Sequence, residues 1–364
     1  MNIVSLFEGI SCGRVALDRA GVTVNSYSAF EIDKYAKAIS RYNYPDIQQC
    51  GDVLDADFNR FVDSDFVMGG SPCTFWSIAK ANREVDKTGV GWKLFMRFVE
   101  AVRVISPRFF LYENVASMPQ SIKQYITEEL GVEPVLINSA LLSAQSRKRL
   151  YWTNISGITQ PENKGILLQD ILETGVTVKN KSSCIDACYY KGGNHSRPLS
   201  QAGRRRMVYE PVALADKSQT ILATLHKENA LSMLKRGKTG LFCAHETENI
   251  SCSPVRVGCY GSGGQGNRVY SVQGKSVSLM ANGGGRGGKV GLYKVDLPDG
   301  DYIIRKLTPI EAERCQTLPD NYTAFGIDDN GKTVNISKTQ RYKCIGNGWT
   351  VDVIAYILGF ADWR

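Results

Sequence analysis

Apolar and polar positions along the first 150 residues switch between the period of a strand and that of a helix, and the switching outlines a fold. Residues 2–7 read as an apolar strand, followed by the glycine-containing turn Glu8-Gly9-Ile10-Ser11-Cys12-Gly13 and a helix-like run over 14–20. A second strand, 24–30, ends at Glu31. Residues 33–43 then read as a helix and 48–53 as a third strand ending in Asp52. The fourth strand, Phe66-Val67-Met68, runs into Gly69-Gly70-Ser71-Pro72-Cys73. A polar stretch over 74–92 has the character of a mobile loop that could close over a substrate. Beyond it lie a helix over about 93–105, a strand over 108–112 ending in Glu113-Asn114-Val115, a helix to about 130 and a strand over 132–138. Strands alternating with helices predict an α/β domain with a parallel, Rossmann-like sheet.

The pattern changes after Thr153. Strands shorten, and 258–291 contains 12 glycines. Residues 216–223 and 274–281 echo one another, each followed by a Gly-Leu-aromatic triplet. This predicts a smaller β-rich domain over 154–302, set into a larger one formed by 1–153 and 303–364. Its glycine loops lie between Arg256, Arg268, Lys275, Arg286 and Lys289, and loops of this kind can reach phosphates and bases. Helix signals return at Thr308-Pro309-Ile310-Glu311, a capping box with proline at the first helical position, and a final apolar helix covers 351–360.

Composition changes this picture little. A chain of 364 residues, 43% hydrophobic and 22% charged, is ordinary for a globular protein with room for two domains. The net charge of +8 is a mild pointer to a polyanion. Its distribution says more: acids outnumber bases between 28 and 70, whereas 203–206 read Gly-Arg-Arg-Arg and bases stud 227–294. A small-molecule half and a nucleic-acid half follow. Ten cysteines lack any CxxC pair. Reduced thiols are expected, and Cys184, Cys188 and His195 do not have zinc spacing, so no metal is expected. No apolar run is long enough to span a membrane and the N-terminus reads as a strand, which predicts a cytoplasmic protein.

The chemistry gathers at strand ends, where open α/β sheets bind ligands. Glu31 lies about twenty residues beyond the glycine turn, where a ribose hydroxyl is usually held, and Asp52 ends the next strand. Two acids with no phosphate-binding pattern fit an adenosine cofactor without phosphates, such as S-adenosylmethionine. Cys73 on its stiff turn can be a nucleophile or a small buried hydrophobe. Glu113 ends a strand on the same rim, and Arg147 and Arg149, spaced i, i+2, share one face of an extended segment.

In this order, Phe7-x-Gly9, Glu31, Gly51-Asp52-Val53, Gly-Gly-Ser-Pro-Cys73-x-x-x-Ser77, Glu113-Asn114-Val115, Gln145-x-Arg147-x-Arg149, the helix from Arg305-x-Leu307-Thr308 to Arg314, and Gly346-Asn347 resemble the cytosine-C5 DNA methyltransferase family. The overall pattern is bacterial or phage-like. Phe7-x-Gly9-Ile10 and the late Trp349 look more like the animal de novo DNA methyltransferases, and Ser5, Ser11-Cys12 and Gly348-Trp349 depart from the usual bacterial blocks.

The resemblance implies a Rossmann-like S-adenosylmethionine-dependent methyltransferase domain, with 154–302 as the target-recognition domain. It makes Cys73 the nucleophile on C6 of a flipped-out cytosine and Glu113 the group that holds N3 and the amino group. Arg147 and Arg149 would orient Glu113 and the base, and their charge would help form the thiolate. It assigns Phe7, Gly9, Ile10, Glu31, Asp52, Val53, Pro72, Leu94, Asn347 and Trp349 to the cofactor. Ser77, Arg256, Arg268, Lys275, Arg286 and Lys289 fall to DNA. The expected partners are double-stranded DNA and a cognate restriction endonuclease, with the protein a monomer. An inactive DNA-binding homologue and an RNA cytosine methyltransferase are the alternatives. Retention of Cys73, Glu113, Arg147 and Arg149 argues against the first, and the large basic domain against the second.

Overall fold

The computed structural model describes residues 1–78, 82–175, 177, 181–185, 187, 208–211, 256–259, 268–271, 292–294, 302–305 and 307–363. The chain divides into two compact units. The first comprises Met1–Glu173, Lys179–Lys191 and Thr308–Arg364, and the second Thr174–Val178 and Gly192–Leu307. Residues 154–173 and 179–191, read from composition as part of the smaller domain, thus belong to the first unit, and 303–307 to the second. They carry few glycines and little charge bias, so composition alone misplaces the boundary.

The first unit is built on a seven-stranded sheet: β1 (Asn2–Leu6), β2 (Ser26–Phe30), β3 (Gln48–Gly51), β4 (Phe66–Gly69), β5 (Phe109–Val115), β6 (Val135–Asn138) and β7 (Lys148–Thr153). Its order is β3-β2-β1-β4-β5-β7-β6. β1 to β5 run parallel, while β7 lies antiparallel to both β5 and β6. The order reverses between β1 and β4, and the crevice outside their carboxyl ends is the ligand position of such sheets.

Side chains alternate across the sheet into two cores. Ile3, Met68 and Leu111 face one together with α1 (Cys12–Arg19), α2 (Lys34–Asn43) and the final helix, α7 (Val351–Leu358). Val4, Leu6, Val67, Phe110 and Tyr112 face the other, with α3 (Val90–Ile105) and α4 (Gln120–Leu130). A sheet covered on both faces requires the near-continuous apolar strands that the sequence shows.

Of the remaining helices, α5 (Pro309–Cys315) has the expected capping box: Glu311 N–H donates to Thr308 Oγ1 at 3.2 Å and Thr308 N–H to Glu311 Oε2 at 2.8 Å. The helix α6 (Lys338–Asn347), capped by Ser337, lies where the sequence offered only the Gly346-Asn347 motif. Two boundaries differ from expectation. β3 stops at Gly51, so Asp52 is not a strand residue but caps a short 3₁₀ turn, accepting from Leu54 N–H at 2.9 Å. The helix expected from about 93 begins at Val90, because Glu84 Oε2 accepts Gly91 N–H at 2.9 Å and caps it. The stretch expected to be mobile is fastened in its second half, where Arg83 donates to Ser117 O at 2.7 Å and Ser121 to Val85 O at 2.7 Å.

Apart from Thr174, Gly175, Thr177 and Leu307, the described residues of the second unit are strands. Val208–Pro211 pairs antiparallel with Tyr302–Arg305, and Arg256–Cys259 antiparallel with Arg268–Ser271, which runs parallel to Leu292–Lys294. Arg256 and Arg268 lie on paired strands, whereas Lys275, Arg286 and Lys289 lie outside the described residues. Among the described residues no helix is long and apolar enough to cross a membrane.

Candidate active site

One cavity of about 320 Å³ opens at the carboxyl edge of the sheet. Its lining includes all ten residues expected to hold the cofactor, from Phe7 to Trp349, together with Cys73, Glu113, Arg147 and Arg149. Ser77 is not among the lining residues; its N–H closes the Cys73 turn by donating to Cys73 O at 2.9 Å.

At one end the groups are set by local backbone. Glu31 Oε2 accepts Gly9 N–H at 2.7 Å, and Oε1 accepts the N–H groups of Ile32 and Asp33, both at 2.8 Å. Phe7, Gly9 and Ser11 all have positive φ, so the turn after β1 bends through three left-handed residues, two of them strained non-glycines. With Asp52 opposite, this end offers acceptors and little positive charge, which suits a nucleoside and repels phosphate. The residues present therefore fit S-adenosylmethionine. Among the described residues no cluster of His, Cys, Asp and Glu could hold a metal ion, and Cys188 and His195 lie outside them.

At the other end Cys73 opens a short 3₁₀ turn after β4. Asn114 fastens that turn, donating to Ser71 O and to Tyr112 Oη, both at 3.1 Å, while Ser71 Oγ bonds Tyr112 Oη at 2.6 Å. Neither Gly69 nor Gly70 has positive φ, so no left-handed turn requires them. What they supply is closeness. A Cβ on Gly69 would lie 2.7 Å from Leu6 O, and one on Gly70 would lie 2.8 Å from Glu113 O.

Glu113 lies inside β5 rather than beyond its end, and Val115 pairs with Arg149 of β7. That register sets Arg149 diagonally from Glu113 on the same face, and Arg149 Nε meets Glu113 Oε1 at 2.8 Å. The second oxygen, Oε2, accepts the indole N–H of Trp349 at 3.0 Å.

Arg147 does not share this work, contrary to expectation. Its buried guanidinium donates to Gly348 O (2.9 Å), Gly346 O (3.2 Å) and Ile185 O (3.0 Å), and Nη1 approaches Cys184 Sγ at 3.2 Å. It shares with Arg149 the approach to Cys184 Sγ and the lining of the cavity, but its guanidinium is spent on the carbonyls of 346, 348 and 185 and makes no bond to Glu113.

The charge of the two arginines does not produce a ready thiolate at Cys73. Burial pushes that thiol above its ordinary value; Arg149 and Arg147 pull it down, but Glu113 pushes it up again. Cys184 receives the larger benefit. Burial opposes its ionisation too, yet both arginines outweigh this and its pKa is lowered. Burial likewise works against the charge on Arg149, and the neighbouring Cys184, Glu113 and Cys73 more than offset it, so Arg149 stays charged.

Four contributors had no role assigned from sequence. Asn114 was visible as part of the Glu-Asn-Val motif. Gln316 links α5 to the 345–350 turn, donating to Ile345 O at 2.9 Å and accepting from Thr350 Oγ1 at 2.7 Å. Cys184 had no signal, because its arginine partners lie some 35 residues earlier. Glu8 is buried in the turn after β1, where Tyr27 Oη donates to it at 2.8 Å. Burial pushes its carboxyl up to about 7, against the pull of hydrogen bonds from Ser5, Tyr27 and Ser11.

The sheet order, the acidic rim and the thiol beside a carboxylate–arginine pair define a Rossmann-like methyltransferase. The family model for C-5 cytosine-specific DNA methylases matches residues 1–360, and the chain belongs to that family of enzymes. It is 24% identical over 358 residues to the type II methyltransferase M.HhaI of Haemophilus parahaemolyticus, covering 98% of this chain and 93% of that protein. It is 26% identical over 320 residues to the orphan methyltransferase M.Rho11sI of Bacillus phage rho11s, covering 82% of this chain and 61% of the phage protein. Among solved structures, Entamoeba histolytica methyltransferase EhMeth superposes with a TM-score of 0.60 at 13% identity, covering 99% of this chain and 97% of that one. A mutant of Spodoptera frugiperda DNMT2 gives 0.56 at 13% identity, covering 99% of each chain. These two likenesses concern the fold.

Proposed function

We propose that this enzyme transfers a methyl group from S-adenosylmethionine to C5 of a cytosine flipped out of a short specific site in duplex DNA. The observation that carries the reading is the single cavity joining the Glu31–Asp52 rim to Cys73 and the Glu113–Arg149 pair. Bound S-adenosylmethionine supplies an electrophilic methyl group. Cytosine C5 is a weak nucleophile, so the sulfur of Cys73 bonds C6 as its S–H bond breaks; the displaced ring electrons go to N3 and C5 becomes enamine-like. Glu113, oriented by Arg149, accepts from the exocyclic amino group and relays the proton released by the thiol to N3, which stabilises the adduct. After methyl transfer the C5 proton leaves to solvent, the C6–S bond breaks, and the N3 proton returns to the sulfur of Cys73. Arg147, which lines the same cavity, holds the 346–348 turn beside the base. Flipping the cytosine costs a few kcal/mol, which contacts made on binding offset.

The basic, glycine-rich second unit is the DNA-reading part, with Arg256, Arg268, Lys275, Arg286 and Lys289 as its DNA-contacting residues and Ser77 beside the catalytic turn. We place the enzyme in the cytoplasm of a bacterium, as a monomer. The relatives named as type II methyltransferases favour a cognate restriction endonuclease as partner.

Incubation with labelled S-adenosylmethionine and separate duplex DNA and RNA tests the reading. Label is expected at cytosine C5 of DNA. Label in RNA alone, or in neither, overturns it. A duplex carrying 5-fluorocytosine at the methylated position should trap a covalent complex, since fluorine cannot leave as a proton does.

A further inference from the structure

We propose that Trp349 is a positioning residue for Glu113: its indole N–H fixes the second carboxylate oxygen, so that the acid faces the amino group and N3 of the base in one orientation. This goes beyond a contact to the cofactor, the role that the family resemblance gives Trp349, and its kinetic side rests on the methyl-transfer reading above.

Three observations carry it. First, the two oxygens of Glu113 have separate donors from distant parts of the chain, Arg149 Nε on Oε1 at 2.8 Å and Trp349 Nε1 on Oε2 at 3.0 Å. The last torsion of a glutamate is broad and poorly determined by itself. Two donors on opposite oxygens remove that freedom. Each carboxylate oxygen has two acceptor positions, so one on each remains for a ligand.

Second, the donor is itself rigidly held. Gly348 O accepts from Arg147 Nη2 at 2.9 Å and from Gln316 Nε2 at 3.2 Å, and Thr350 Oγ1 donates to Gln316 Oε1 at 2.7 Å. The residues on both sides of Trp349 are thus anchored to buried side chains, and this gives the displaced Arg147 its purpose. Third, space is kept open for the pair. A Cβ on Gly70 would lie 3.0 Å from Glu113 Oε2 and 3.4 Å from Trp349 Nε1, so any larger residue there would press on the hydrogen bond.

Trp349→Phe keeps an aromatic ring and deletes only the donor. With saturating DNA and cofactor, kcat is expected to fall about tenfold, the usual effect of losing one hydrogen bond to a charged group. The Kd for S-adenosylhomocysteine, by calorimetry, and the KM for DNA should stay within about twofold, because a contact tightened at the reacting base is lost and not a uniform binding contact. An unchanged kcat, or a cofactor Kd weakened in step with kcat, overturns the assignment.

A second measurement does not depend on activity. The Trp349 indole N–H resonance, assigned as the one missing in Trp349→Phe, should move upfield in Glu113→Ala; an unmoved resonance overturns the proposal. Protein that methylates neither nucleic acid but shows the resonance shift would refute the proposed reaction and leave the hydrogen bond standing.

Discussion

The two ends of the cavity are assembled by different means. At the acidic end, Glu31 is held by the N–H groups of its two successors and of Gly9, and Asp52 by Leu54 N–H. At the thiol end nearly every positioning bond joins distant segments: Arg149 to Glu113, Trp349 to Glu113, Arg147 to Gly348. The first end draws most of its bonds from β1 to β3, with Tyr322 Oη on Ile10 O and Lys343 on Asp33 as its remote ties. The second requires β5, β7, α5 and α6 to be in place together. On the proposed reading, cofactor binding rests more on local structure and the chemistry more on remote elements.

The comparison is broken most severely at Cys73. Cys73→Ser should lower methyl transfer by more than about a thousandfold, since a hydroxyl is a far weaker nucleophile than a thiol at neutral pH, with S-adenosylhomocysteine affinity nearly unchanged. Residual turnover near the wild-type rate would show that the ends are not divided between binding and chemistry.

Glu8, beneath the turn that carries the acidic end, gives the next largest effect. The folded state keeps its carboxyl protonated up to about pH 7, whereas the unfolded chain loses that proton near 4.5. Between those values the folded state binds more protons, so stability is lost as pH rises through that window. Glu8→Gln has no such proton to lose. Its stability relative to wild type should improve by up to about 3 kcal/mol between pH 4 and pH 8, measured by urea denaturation. A difference independent of pH would mean that Glu8 is ionised at neutral pH in the folded enzyme.

What could be read from the chain follows the same division. The sheet, the helix signals at Thr308 and the residues around the cavity were legible because each rests on local periodicity or on a motif with a fixed place at a strand end. At the acidic end the position of Glu31 was legible, since it needs only a strand, a turn and a known spacing. The thiol end was legible as a set of residues but not as a set of contacts. Arg147 and Arg149 look equivalent in sequence, and only the β5–β7 register and the α6–α7 turn separate a partner of Glu113 from a clamp on Gly348. The boundary near 154 was misplaced because first-unit residues there lack the apolar periodicity of the sheet, and Cys184 stayed silent because its partners come from another segment.

A milder test acts on the acidic end alone. Glu31→Ala should weaken S-adenosylhomocysteine binding by about tenfold to a hundredfold, the range for removing hydrogen bonds to a charged acceptor. The kcat at saturating cofactor should stay within about threefold of wild type, because such a loss falls on uniform binding. A kcat reduced as much as the affinity would couple the two ends and erase the distinction.

The smallest expected effect sharpens the claim that the thiol end depends on remote elements. Thr308→Ala removes the side-chain half of the capping box of α5, which should cost about 1 kcal/mol of stability. α5 leads directly into Gln316, whose side chain holds Ile345 O and Gly348 O and so steadies the turn that delivers Trp349 to Glu113. If the ends are separate, the loosened helix should leave cofactor affinity unchanged while kcat falls by about twofold, in step with the fraction of molecules whose turn is in place. Hydrogen exchange at the 345–350 amides reads the same loosening without turnover. Faster exchange there with unchanged exchange in the turn after β1 is the expected pattern, and equal acceleration at both would show one cooperative site.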